Sequence, residues 1–587
     1  MTQEQTTAKP TFKSKILKRL LPTFLIAFSI PFTVCICIPL EIFGNNLQEF
    51  LFAFSGFIGF NLLFAFLFTL AIFSALLFLP DKAYRITSAV IIALAFLFFL
   101  QGTFLNGSLS SLSGDALGDE VVPIGKKIFN LIIWIVVIAG AVVLSLLKDK
   151  NGIIALVGLL LCGIVMITQF MSPLTVCMST EGVFSSRENR KDENGNIVTT
   201  KILTEKNLTN ISSANNVFYF CVDRFDQEYA ERAHEECPEI FESLKGFTAF
   251  DDNISVYGHT YPSVVNMLTG KTLNPNESRD KFLSHAFKNN NTLDVLNKNG
   301  YKVNLFTVPY YTYSDAVYMP DYLGNVTDAS SFEVTNKPIL SLSMTQIALY
   351  RCVPLFFKDY LGNINSGTCN SYVESEGVDG NHQYSADMKG VYDYITENQF
   401  NTINDKQFTF IHLDGCHSIM YDEEWNTLGL TDSKDIMYSV KNSFAIINVY
   451  LQKLKDLGVY DNATIIITGD HATPINDRTA LPQQSLTALY FKPSNSSNDN
   501  LKFSSAPVSH EDIWDTIFKS ENITQSNPNK TLFDYKQGDN RTRKYFWHTY
   551  VSPLHEYVYE ITGSGKDFKN WKINQELSKK YQKFIMD

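Results

Sequence analysis

Three short stretches carry the residue types that metal-assisted chemistry needs. Asp223 closes the apolar run VFYFCVD (217–223), and Asp470 with His471 closes ATIIITGDH (463–471). One acid at such a place means little, because Asp commonly opens a turn. An adjacent Asp-His after an Ile/Thr run is more specific: carboxylate oxygen and imidazole nitrogen together suit a divalent ion such as Zn or Mn. The third stretch is VYGHTYPSVVNMLTGK (256–271), in which Thr260 precedes Pro262 and an apolar helical pattern runs through Leu268 to Gly270. Thr at a cap with Pro in the first turn marks a helix start, so the plain expectation is that Thr260 caps a helix. The same place has a chemical use. A hydroxyl at a helix N-terminus faces free N–H groups and a dipole that favours anions. Beside a metal it becomes an alkoxide nucleophile toward phosphorus.

These residues need a scaffold. From 217 to about 545, short β-branched and aromatic runs alternate with helical stretches such as 435–457, which ends at Gly458. VFYFCVD, YKVNLFTV (301–308), FTFIHLD (408–414), ATIIITGD (463–470) and LTALYF (486–491) read as buried parallel strands, because they are apolar runs bounded by Gly, Asp and Asn. Alternating strands and helices predict an α/β domain, whose sites form beyond the carboxyl ends of the strands.

The N-terminal third is different in kind. Windows 20–40, 50–80, 86–114, 128–147 and 151–180 contain no Asp, Glu, Lys or Arg. Each has a core long enough to cross ~30 Å of hydrocarbon as a helix of about 20 residues. Lys9, Lys13, Lys15, Lys18 and Arg19 precede the first window, and Glu41 and Glu49 follow it. Lys82 and Arg85 come next, then Asp115, Asp119 and Glu120 with Lys126 and Lys127, then Lys148 and Lys150. This alternation predicts a cytoplasmic N-terminus, and five crossings put everything after about residue 175 outside. The expected division is a transmembrane domain at 1–175, a polar stretch at 176–216 and an extracytoplasmic domain at 217–587. The polar stretch, with SSRENRKDENGN in its middle, reads equally as a linker or as part of the soluble domain.

The order of motifs resembles the alkaline phosphatase superfamily, and within it the sulfatase-like branch. Asp stands at a first strand end, then T-x-P-S (260–263) with L-T-G (268–270), then G-D-H (469–471). Five membrane helices ahead of such a domain resemble the lipoteichoic acid synthase and phosphoethanolamine transferase families. The resemblance implies a five-helix transmembrane bundle followed by an extracytoplasmic α/β domain with a mostly parallel central sheet. It implies a divalent metal, Mn or Zn, on Asp223, Thr260, Asp470 and His471, with Thr260 also the nucleophile. GCHSIMY (415–421) is similar to the G-S-H-G-P-x-Y of the phosphoethanolamine transferases but lacks its Pro, and it makes His417 a candidate phosphate contact or proton donor. VSHEDIWDTI (508–517) is similar to the family's V-S-H-x-D-x-x-x-T, which brings Ser509 and His510 near the site. Hydrolytic sulfatases oxidise a Cys or Ser at the first motif position to an aldehyde, which the methyl-bearing carbon of Thr260 cannot give. The implied reaction is transfer of phosphoglycerol or phosphoethanolamine from a phospholipid to a glycan or glycerol-phosphate acceptor, at the cell membrane of a bacterial envelope. A metal-dependent phosphodiesterase and a non-catalytic sulfatase-like binding protein stay open as alternatives.

Composition agrees with the division. A mean hydropathy of −0.04 looks like a soluble enzyme but averages two unlike parts. Residues 1–175 hold 11 Lys+Arg and 8 Asp+Glu; the other 412 residues hold 38 and 52. An outer part with net charge −14 excludes nucleic acid as its main partner, since phosphate backbones need clustered positive charge. The nine cysteines include no CxxC, and Cys352 and Cys369 are close enough in sequence to pair or to stay free. His259 reads as a neighbour of the nucleophile, and His234, His285, His382, His548 and His555 as surface residues. Asp226 and Glu228 read as a solvated helix start. YYTYSDAVY (310–318) lines a pocket or only packs.

Overall fold

In the computed structural model the chain divides into two compact units, Met1–Val198 with Ser331–Glu374, and Thr199–Ser330 with Ser375–Asp587. The described residues are 12–586, less positions 48, 107–122, 148–151, 181, 191–196, 198, 199, 276, 278, 289, 290, 309–319, 321, 359, 360, 362–365, 430, 431, 473–485, 497, 498 and 549–555. The run 310–318 therefore lies outside the described residues.

The first unit contains helices α1 (Phe12–Pro31), α2 (Ile38–Asn45), α3 (Ile58–Leu77), α4 (Asp81–Leu100), α5 (Ile124–Leu146) and α6 (Ile153–Ser179). A π-helical turn, Phe32–Cys37, joins α1 to α2, and another, Gln101–Leu105, extends α4. Among the described residues, five spans are long and apolar enough to cross a membrane: Arg19–Asn45, Ile58–Leu77, Asp81–Leu105, Ile124–Leu146 and Ile153–Ser179. They coincide with the five charge-free windows. Ile132, Ile135, Val136, Leu156 and Val157 are half exposed or more, an apolar outer surface that water would not tolerate over so many residues.

The unit boundaries differ from the expected ones in two places. The polar stretch does not behave as one linker: residues up to 198 belong to the first unit, and Lys201–Leu203 and Asn210–Ser212 form strands in the second. Arg190, inside SSRENRKDENGN, is fully buried. It donates to the carbonyls of Leu47, Phe50 and Phe52 and stacks over the Phe43 ring. Composition reads such a segment as solvated, but one guanidinium can satisfy several loop carbonyls at once. The second difference is the stretch 331–374, which joins the first unit although it lies far along the outer domain's sequence. Cys352 and Cys369 are both buried there as free thiols; Cys369 Sγ meets Met344 Sδ at 3.8 Å, so the pairing considered from spacing does not form.

The second unit is built on a seven-stranded sheet. Its strands are β1 (Asn216–Val222), β2 (Thr248–Phe250), β3 (Tyr301–Phe306), β4 (Lys406–Leu413), β5 (Thr464–Thr468), β6 (Leu489–Lys492) and β7 (Lys502–Ser504). The spatial order is β7-β2-β6-β5-β1-β4-β3. Strands β5, β1, β4 and β3 run parallel, as does β7 with β2, whereas β6 is antiparallel to both its neighbours. Four of the five sequence-read strands thus have the expected direction. The fifth, LTALYF, is reversed, because an apolar run reports burial on both faces and not direction.

Burial of every β1 residue explains its unbroken apolar run. Phe218, Phe220 and Val222 pack on one face with Phe444, Ile447 and Tyr450 of α8 (Ile436–Asp456). Val217, Tyr219 and Cys221 pack on the other with Val264, Val265 and Leu268 of α7 (Thr260–Thr269). The two-residue period of the strand sends alternate side chains into the two cores, and the second core fixes the helix that carries Thr260.

A three-stranded antiparallel sheet, Thr542–His548, Glu556–Thr562 and Trp571–Ile573, precedes the helix Gln575–Met586. Its anchor is Arg543, fully buried, which donates to Asp252 O at 2.7 Å, Val508 O at 2.8 Å, Gly563 O at 2.7 Å and Asp252 Oδ1 at 3.0 Å. Arg543→Met leaves Asp252 and three carbonyls buried without this donor. The expected loss is about 3–5 kcal/mol, read as a lowered unfolding temperature of the detergent-solubilised protein.

Candidate metal and nucleophile site

The site sits at the carboxyl ends of the parallel strands. Asp223 follows β1, Asp470 lies two residues beyond β5, and His412 is the penultimate residue of β4. Two glycines let these backbones converge. A Cβ on Gly469 would stand 2.7 Å from Phe225 O and 2.8 Å from Phe225 N, so the residue before Asp470 has room for no side chain. Gly415, at φ +49°, passes as closely: a Cβ there would meet Asp223 N at 2.8 Å.

Thr260 does not cap its helix. The capping position falls on His259, which makes no side-chain capping bond, and Tyr261 and Pro262 depart from helical geometry. The Thr260 hydroxyl instead donates to Asp223 Oδ2 at 3.4 Å and lies 3.3 Å from His471 Nε2. His471 Nδ1 donates to Ala472 O at 2.8 Å, which turns Nε2 toward the hydroxyl. Ser263 anchors the helix to the opposite strand end by donating to Asp470 O at 2.6 Å.

Asp223 and Asp470 are both buried, with His471 Nε2 between them, 3.8 Å from Asp223 Oδ1 and 3.6 Å from Asp470 Oδ2. Asp470 Oδ1 accepts from the backbone N–H of Arg224 and of His471, each at 2.9 Å. Among the described residues, Asp470 Oδ2 and Asp223 Oδ1 have no hydrogen-bond donor. Burial pushes Asp223 up, but the hydrogen bond from His412 and the charges of His471 and His412 outweigh it and hold the carboxyl below its ordinary range. Burial, then the charge of Asp223, push Asp470 above its ordinary value. Two buried carboxylates with orphaned oxygens facing imidazole nitrogens form an oxygen-nitrogen donor set, which a divalent cation satisfies. The set fits a divalent metal ion.

The structure adds one residue to the sequence-read set. His412 Nε2 lies 3.5 Å from Asp223 Oδ2, and Asp223, His412 and Asp470 each offer a ligand atom within 4.8 Å of the others. Its ring is held from behind, Nδ1 being 3.1 Å from Thr307 Oγ1. Burial lowers His412, yet the hydrogen bond and charge of Asp223 raise it further, so its net position is above the ordinary imidazole value. The available signal was a histidine in the apolar run FTFIHLD at the end of a strand, where sites form.

The other candidates fall elsewhere. His417 is exposed and lines a cavity of about 600 Å³ with Arg224, Tyr229, Arg232 and Lys434. The cavity adjoins Asp223, since Cys416 N donates to Asp223 O at 2.8 Å and Arg224 is the next residue. His510 is buried against the end of β5, 3.1 Å from Thr468 Oγ1, and burial pushes it down to about 3. Ser509 caps the turn His510–Asp512. His259 lies beside the site, its ring 6.3 Å from that of His471. Asp226 does begin a helix, accepting from Glu228 N, but it is buried where the sequence suggested solvation. His234 is also not a surface residue: it stacks on Phe241 at 3.8 Å and bonds the Tyr490 hydroxyl at 2.9 Å.

Residues 215–520 match the family model described as Sulfatase. The chain belongs to the sulfatase family. The match runs from the strand before Asp223 to the helix after His510, so it spans the whole candidate site. Among solved structures similar to this sulfatase-family chain is Ps i-CgsB in complex with k-i-k-neocarrahexaose, at 12% identity and TM-score 0.39, covering 64% of this chain and 87% of that one. The phosphonate monoester hydrolase SpPMH from Silicibacter pomeroyi has 13% identity and TM-score 0.35, over 62% and 88%. The lipoteichoic acid synthase LtaP from Listeria monocytogenes has 10% identity and TM-score 0.33, over 65% and 94%. No curated protein matches the sequence.

Proposed function

We propose that the protein is a membrane-anchored, metal-dependent transferase that moves phosphoglycerol or phosphoethanolamine from a phospholipid to a hydroxyl of an envelope glycan or glycerol-phosphate polymer. The observation that carries this reading is the Thr260 hydroxyl, directed not at its own helix but at Asp223 and His471. A sulfatase reaction through an aldehyde is not open to threonine. A divalent ion, Mn or Zn, held by Asp223, Asp470, His471 and His412, would lower the pKa of the Thr260 hydroxyl and neutralise charge on phosphorus.

Thr260 Oγ1 passes its proton to Asp223 Oδ2, to which it is hydrogen-bonded, and attacks phosphorus, forming the Oγ1–P bond. The bond from phosphorus to the diacylglycerol oxygen breaks, and that oxygen takes a proton from His417 in the adjoining cavity. An acceptor hydroxyl then gives its proton to His417 and bonds to phosphorus, the Oγ1–P bond breaks, and Thr260 Oγ1 takes its proton back from Asp223 Oδ2. This is a ping-pong scheme. The apolar spans support a membrane protein, which suits a lipid donor, and the basic loop ends support a cytoplasmic N-terminus with the catalytic domain outside.

The test is mass spectrometry of Thr260 after the full-length enzyme meets liposomes of mixed phospholipids without acceptor. The expected result is a phosphoglycerol or phosphoethanolamine mass on Thr260 that disappears when a sugar acceptor is added. Headgroup release with Thr260 unmodified at every time point would overturn the scheme.

A further inference from the structure

The stretch 331–374 lies inside the residues that match the sulfatase family, yet it belongs to the unit built on the membrane helices. We propose that it is a sixth membrane element: the helix Lys337–Cys352 and the turn after it sit in one leaflet, with Ile339, Leu342, Phe356 and Phe357 against lipid acyl chains.

Composition is the first argument. Residues 338–350 and 352–357 carry no charge, and Lys337, Arg351 and Lys358 bound them. As a helix, 338–350 rises roughly 20 Å, too little for a hydrocarbon core of ~30 Å but the length of a re-entrant or interfacial segment. The second argument is that this helix is apolar on both faces. Leu340, Met344, Ile347 and Ala348 are buried with Ile38, Ile42, Phe43 and Phe57. On the outside, Ile339 and Leu342 are 42% and 54% exposed, and Phe356 and Phe357 38% and 48%. A face turned to water would be polar.

Position is the third argument. Ser341 Oγ donates to Phe57 O at the start of α3. Arg351 reaches Glu41 of α2 at 3.1 Å and Gly102 O at the end of the third span. Leu355 N donates to Asn130 Oδ1 of α5 at 2.9 Å. Alternate crossing puts these four helix ends on one side of the bilayer. Asn130 stands about 9 Å along α5 from Ile124, so Leu355 is drawn below the helix end. The outer face of the stretch therefore continues the lipid-facing surface of Phe104, Ile128 and Phe129, all about half exposed or more. Arg351 is held by Glu41, and Lys358 is buried with its Nζ on Tyr350 O, so both charges that bound 352–357 are turned inward and its outer face is left apolar.

The proposal goes beyond the catalytic reading, and its test uses no activity. Leu342→Cys and Phe357→Cys are spin-labelled in full-length protein carrying Cys177→Ser, the native thiols other than Cys177 being buried. After reconstitution in phosphatidylglycerol–phosphatidylcholine liposomes, collision with oxygen is compared with collision with a water-soluble nickel chelate. Ile132→Cys, lipid-facing on α5, and Lys502→Cys, exposed on β7, set the two limits. The expected result is a shift of the ratio at both positions to the Ile132 level. A ratio at the Lys502 level would overturn the proposal. Ile339→Cys and Phe356→Cys read the same surfaces should either variant fail to fold.

Discussion

Thr260→Ala is expected to lower headgroup transfer by about 10³-fold or more while leaving the fold and the metal site in place. The hydroxyl is the one group of the site that serves no structural bond of its own helix, and its partners are Asp223 and His471. Its removal takes away the atom that forms the bond to phosphorus. Asp223, His412, Asp470 and His471 keep their carboxylate and imidazole donors. Thr260→Ser restores a hydroxyl on a β-carbon in the same position, and its transfer rate should fall within about tenfold of the parent, a barrier change of roughly 1.4 kcal/mol. The measurement is transfer from a labelled phospholipid in liposomes to an added acceptor, with bound metal quantified on the same samples. Undiminished transfer by the alanine variant would remove Thr260 from the mechanism. Loss of metal together with activity would make it a ligand first.

The site residues differ in how they show themselves in sequence, and the difference is physical. Asp223, Asp470 and His471 stand where an apolar strand stops, so their polarity breaks a pattern. Thr260 stands where a helix starts, beside a proline. His412 shows no such break. It lies within β4, its ladder partner is Cys221, and its polarity is satisfied by Thr307 and Asp223, which come from other strands. Only the pairing of β4 with β1 brings it beside Asp223, and pairing is a long-range fact. The helix Lys337–Cys352 was hidden for a related reason. Its uncharged run is too short to register as a span, and its partners Glu41, Gly102 and Asn130 lie more than 200 residues earlier. The reversed strand β6 shows that apolar runs carry burial without direction. By contrast, the five spans rest on composition over whole windows, and the helix 435–457 on a long apolar period with a terminal glycine. Both signals are local and survive folding unchanged.

Asp470→Asn is expected to abolish the stabilisation that metal gives while sparing the stability of the metal-free protein. Asp470 Oδ1 accepts from two backbone N–H groups, a role that an asparagine carbonyl can keep. Asp470 Oδ2 has no donor among the described residues, and burial and the charge of Asp223 push its carboxyl up. In the metal-free fold burial and the charge of Asp223 outweigh the attraction of His471 and His412 for this buried negative charge. An amide there removes the repulsion and also removes the ligand. Heated with an excess of Mn or Zn of about a hundredfold over the dissociation constant, the parent should gain about 2.7 kcal/mol, and chelator should reverse the gain. The variant should unfold at or slightly above the temperature of the chelated parent, with metal or without it, and transfer no headgroup. The sign of the metal-free difference is informative, because a carboxylate needed only for the fold would make the variant less stable without metal. A variant that binds metal stoichiometrically and shows the parent's metal-dependent shift would exclude Asp470 as a ligand, and the cation would then rest on Asp223 with His412 and His471.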